Sequence, residues 1–139
     1  MFVTCLYAVL DPQTGQMAYA NAGHDLPYRR GESAVSELRA TGMTLGLMPG
    51  MTYDQKETLV AEGESILFYS DGIVEAHNPA REMFGFPRLM GLVGTHPAGI
   101  SLIEYLQNEL HAFTGVGWEQ EDDVTMVTLV RHRGAARKE

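Results

Sequence analysis

One run of eight residues limits what this chain can fold into: Ser65-Ile66-Leu67-Phe68-Tyr69-Ser70-Asp71-Gly72. Its first six residues are largely apolar and rich in β-branched and aromatic side chains, which predicts a buried strand. A carboxylate and a glycine then end it abruptly, and the glycine frees the backbone to turn. Asp71 is thereby expected at the rim of a sheet, on a rigid support and open to solvent or a metal ion. A second acidic pair, Asp122-Asp123, stands directly before another strand-like run, Val124 to Val130. If the two strands are antiparallel neighbours, the end of the first lies beside the start of the second. Asp71 and Asp122 then meet at one edge.

The elements around this pair follow from pattern. Phe2 to Leu10 is almost continuously apolar and reads as a central strand buried on both faces, with nothing before it to supply a neighbour. Asp11 to Gly15 is turn chemistry, and Gln16 to Asn21 returns as the second strand of a hairpin. After the loop Ala22-Gly23-His24-Asp25, Leu26 to Arg30 reads as a short edge strand that tolerates Pro27. Ala34 to Leu38 then completes a small meander. The glycine-rich stretch Thr41 to Gly50 is too apolar for a linker and reads as an ordered loop, with a further strand over Tyr53 to Val60.

Beyond Gly72 the period changes from strand to helix. Ile73 to Ala76 suits a turn or two of helix stopped by Asn78-Pro79. Phe84 to Pro87 is a break, followed by a short apolar helix over Arg88 to Val93. Ser101 and Glu104 form a capping box, and Leu102, Ile103, Leu106, Leu110 and Phe113 recur at helical spacing. Strands first, helices later and one closing strand make an α+β chain, an antiparallel sheet covered by helices.

At 139 residues the chain fits one domain with one real core. A formal charge of −8 argues against a nucleic-acid partner. No stretch approaches the ~20 apolar residues of a membrane helix. The single cysteine, Cys5, sits in an apolar strand as core filler, and the lack of a partner thiol points to a reducing cytoplasm.

Clustered carboxylates repel one another unless a cation lies between them, and all-oxygen ligation suits Mg²⁺ or Mn²⁺. Glu119, Glu121, Asp122 and Asp123 make the most acidic loop in the chain. Two aspartates hold one ion but hardly two, so a two-metal hydrolase site is short of ligands here. No compact His and Cys set suggests zinc, and no G-x-x-x-x-G-K-[ST] run exists. A haloacid-dehalogenase motif would need an aspartate where Tyr69 stands. Ser70 lacks the G-x-S-x-G elbow of a triad nucleophile. His24 follows a strand directly and reads as a loop anchor.

Five segments together resemble one family, in order and in spacing. They are Met1 to Thr4, the hairpin end Tyr19-Ala20-Asn21-Ala22-Gly23-His24, Leu45-Gly46-Leu47, Phe68 to Ala76, and Gln120 to Thr125. The family is the bacterial stage II sporulation E/RsbU-type serine phosphatases, within the metal-dependent PPM superfamily. The resemblance implies two stacked antiparallel sheets flanked by helices. It also implies hydrolysis of phosphoserine or phosphothreonine on a small regulatory protein, such as an anti-sigma-factor antagonist. Asp71 and Asp122 then take the positions of metal ligands for Mn²⁺ or Mg²⁺, with Asp123, Gly72 and His24 in support. Attack would be by metal-bound water, without a covalent intermediate. The family's Asp-x-x-Gly-His-Gly-like segment has no counterpart here. The expectation is therefore the C-terminal part of a phosphatase domain over residues 1–132, a flexible basic tail at 133–139, and an incomplete metal site of little activity. A homodimer through an unpaired sheet edge is also expected. The alternative is a non-catalytic binding module that keeps the phosphatase fold.

Overall fold

The computed structural model describes residues 1–120 and 122–134. Its strands are β1 (Cys5–Leu10), β2 (Gln16–Ala22), β3 (Tyr28–Arg30), β4 (Val35–Glu37), β5 (Lys56–Leu59), β6 (Ser65–Tyr69) and β7 (Met126–Val130). Its helices are α1 (Asp71–Val74), α2 (Phe86–Thr95) and α3 (Leu102–Thr114). No helix of the described residues is long and apolar enough to cross a membrane.

The strands form two antiparallel sheets, β1-β2-β5 and β4-β3-β6-β7. Strand β6 explains the layering. Its even-numbered side chain Ile66 joins Met17, Tyr19, Leu38, Ala40 and Val60 between the sheets. Its odd-numbered Leu67 and Tyr69 face the helices, packing with Ile73, Phe84, Leu89, Val93, Leu106 and Leu110. Alternation along one strand thus seeds both cores, which is why the run is apolar at successive positions. The third helix forms where the capping box stands, with Ser101 Oγ accepting from the Glu104 amide at 3.1 Å, a bond worth about 1 kcal/mol. Gly115, at φ +77°, ends it.

Four expectations need correction. β1 lies at the edge of its sheet, and Tyr7 and Val9 are 67% and 54% exposed, so the strand is not buried on both faces. β3 is internal, paired with both β4 and β6. Pro27 precedes its first pairing residue, so the missing amide breaks no ladder. The expected meander is divided, because the chain passes from one sheet to the other between Ala22 and Tyr28. Helix α2 begins at Phe86 rather than Arg88, because Pro87 occupies the first turn, where no amide hydrogen is needed. Of the expected basic tail, residues 135–139 lie outside the described residues. Arg133 meets Glu32 at 2.7 Å in an exposed pair.

Candidate active site

The antiparallel register of β6 and β7 places Tyr69 opposite Met126, so the chain leaves β6 just where it enters β7. Ser70 stitches the two together. Its amide donates to the Thr125 carbonyl at 3.0 Å, its hydroxyl donates to the Asp123 carbonyl at 3.2 Å and accepts from the Thr125 amide at 2.9 Å. Gly72 lies directly under this acidic loop, and a Cβ at that position would collide with the Asp123 carbonyl oxygen. The Asp-Gly pair therefore does two jobs: Asp71 is offered to the exterior, and Gly72 admits the neighbouring loop.

The second contribution to the rim comes from the loop after β2. Asn21, 2% exposed, closes it from both sides, accepting from the His24 amide at 2.7 Å and donating to the His24 carbonyl at 3.0 Å. The His24 ring then spans the sheets. Its Nε2 donates to the Tyr69 carbonyl at 3.0 Å, and its Nδ1 accepts from the Thr4 hydroxyl at 3.1 Å. A carbonyl only accepts, so the Nε2-H tautomer is set by this bond. With both nitrogens engaged, His24 ties its loop to Thr4 and to the end of β6.

That anchor delivers Asp25, which sequence reasoning missed, to the Asp71 carboxylate. Burial is the largest influence on Asp25. The nearby Asp71 carboxyl group and the charges of Asp71 and Glu75 act in the same direction, and its carboxyl is pushed up to about 7. Its Oδ2 is buried with no hydrogen-bond partner. A carboxylate oxygen left unpaired beside a second carboxylate is costly until a proton or cation comes between them. The sequence carries one signal for it, its position directly after His24.

Asp122 lies beside Gly72. It lines a pocket of about 160 Å³ with Gly72, Glu75, His77, Met83 and Trp118, and its Oδ1 accepts from the Asp123 amide at 2.8 Å. Asp123 contributes its carbonyl to the junction with Ser70. The structure thus joins Asp71 to Asp25 and sets Asp122 in the adjoining pocket; Glu121 lies outside the described residues. Among the described residues, no group of three or more His, Cys, Asp or Glu side chains is arranged to hold a metal ion. The donors at the rim fit a hard divalent cation in kind, all being oxygen with one orphaned, but not yet in number.

A family model described as stage II sporulation protein E (SpoIIE) matches residues 1–132. Protein IcfG of Synechocystis sp. is 32% identical over 134 residues, covering 95% of this chain and 21% of that protein. The phosphoserine phosphatase RsbU of Bacillus subtilis is 29% identical over 137 residues, covering 94% of this chain and 39% of that protein. The SiaA-PP2C domain of Pseudomonas aeruginosa superposes with a TM-score of 0.73 at 22% identity, covering 90% of this chain and 50% of that one. The chain therefore spans well under half the length of these curated relatives and half of this solved one.

Proposed function

Because this chain belongs to the stage II sporulation protein E (SpoIIE) family and has the fold of PPM phosphatase domains, we propose that it carries one side of a Mg²⁺- or Mn²⁺-dependent protein phosphatase centre. The substrate is a phosphoserine or phosphothreonine on a small regulatory protein of the anti-sigma-factor antagonist type. The observation that carries this reading is the contact of Asp25 and Asp71, with one buried carboxylate oxygen unpaired, at the rim where β6 ends and β7 begins.

A divalent ion bound at this rim would supply positive charge to a phosphoryl oxygen and acidify a water beside it. The chain's own residues do the rest. Asp71 and Asp25 furnish oxygens from the ends of two different sheets, and Asp122 stands in the pocket beside Gly72. Ser70 and His24 hold the two supporting loops, so the carboxylates are placed before any ligand arrives. Further oxygen ligands would have to come from outside the described residues.

Phosphate release from a phosphoserine peptide tests the proposal, in Mn²⁺ and in EDTA. Little turnover is expected from the 139-residue chain, and Mn²⁺-dependent turnover from a chain extended by its upstream reading frame. Robust release by the short chain that survives Asp71→Asn would refute it. The shortage of ligands also favours a second reading, a non-catalytic module that keeps the fold to bind a partner. An extended chain that binds phosphoprotein but stays inert in Mn²⁺ would decide for the module.

A further inference from the structure

The pocket beside Asp122 continues into a larger groove of about 750 Å³. His77 and Trp118 line both, so the two adjoin and make one path that starts beside Asp122. Arg81 lines the groove and not the pocket beside Asp122. Among the described residues it is the one non-glycine in left-handed backbone, with φ +63°. A tight turn holds it there. The Arg81 amide donates to the Asn78 carbonyl at 2.9 Å, Asn78 Oδ1 accepts from the Glu82 amide at 2.8 Å, and His77 bridges Met83 across the base.

A glycine would take this conformation without strain, yet an arginine occupies it. Its side chain is exposed and makes no hydrogen bond or ion pair among the described residues. Arg88 shows the contrast: its guanidinium lies 4.3 Å from the centre of the Phe113 ring and donates to the Phe84 carbonyl at 3.3 Å. The packing of the helices uses Arg88 and leaves Arg81 available.

We propose that Arg81 is a specificity-determining residue that receives an acidic side chain flanking the phosphoserine, with the substrate segment laid along Trp118 and His77. This rests on the phosphatase reading, which places the phosphoserine at the carboxylate end of the path. On a chain of formal charge −8, an acidic segment is repelled by most of the surface. Arg81 supplies the complementary charge on this path. Glu119 lines the same groove, so a carboxylate is favoured only where it reaches the Arg81 guanidinium. A guanidinium also grips a carboxylate through two parallel bonds, which a lysine cannot do.

Trp118 is the only tryptophan in the chain and reports directly on the groove. The probe is a synthetic peptide with a central phosphoserine and two flanking glutamates, compared with its glutamine-flanked form, both titrated in Mn²⁺. A saturable change in Trp118 emission is expected, with the glutamine-flanked form binding about five- to tenfold more weakly. Arg81→Gly should erase that preference while unfolding no more easily than wild type, since glycine suits φ +63°. Arg81→Lys should retain part of it. An unchanged emission, or an equal preference in wild type and Arg81→Gly, would overturn the proposal. Failure of the phosphatase reading looks different: no Mn²⁺ uptake by calorimetry, with the glutamate preference and its dependence on Arg81 intact.

Discussion

Asp25 carries the electrostatic tension of the site. Its carboxyl ionises near 3.8 when exposed and near 7 in the folded chain, because burial and the Asp71 carboxylate both oppose its charge. The folded state therefore binds an extra proton between those values. The stability this adds is complete below about 3.8 and is lost as pH rises toward 7. Asp25→Asn keeps the shape and removes the charge. In EDTA at about pH 8 the variant should be more stable than wild type by on the order of 1 kcal/mol, a figure reduced for the partial exposure of the group. Its stability should also vary less with pH. Urea denaturation of both proteins at about pH 5 and about pH 8 checks this, and parallel pH dependences would contradict it. Sequence reasoning reached Asp71 and Asp122 because each abuts a readable strand. It passed over Asp25 because the approach depends on a loop crossing between sheets and on one His24 bond to the Tyr69 carbonyl.

At the scale of elements, the junction of β6, α1 and β7 was legible because three local rules agree there. An apolar run makes β6, the Asp-Gly pair turns the chain, and a second apolar run makes β7. The capping box of α3 was legible for the same reason. Where pairing partners decide, the pattern was silent. β3 is only three residues long, and nothing local says that it lies between β4 and β6. β1 is apolar on both faces, which reads as double burial, yet it sits at an edge. Gly72 tests the junction most sharply. Gly72→Ala forces a Cβ against the Asp123 carbonyl, and relief requires the acidic loop to move. A loss of about 1–3 kcal/mol is expected, and Asp122 should shift with the loop. Thermal melting together with Trp118 emission, which reports on the adjoining pocket, would register both effects; an unchanged protein would show that the loop does not depend on Gly72.

The whole molecule is a two-sheet sandwich with one side open. Between β1 and the ends of β6 and β7 runs a cleft of about 440 Å³, whose lining includes Leu6, Ala8, Phe68 and Val127. The outer edge of β1 has no strand partner among the described residues. Tyr7, Val9 and Leu59, on the outer face of the same sheet, are 67%, 54% and 53% exposed. No charge and no proline occur before Asp11, so the edge lacks the usual devices that discourage strand addition. Self-association that grows with concentration is expected of the isolated chain, and light scattering that reports a monomer throughout would contradict it.

All of this depends on whether the rim formed by Asp71, Asp25 and Asp122 takes up a divalent cation. Electron paramagnetic resonance of free Mn²⁺ during a titration measures that uptake without requiring turnover. Weak but saturable uptake is expected in the wild-type chain, reduced at least about tenfold by Asp71→Asn and clearly by Asp25→Asn. Equal uptake by all three proteins, or none by the wild type, would contradict the account.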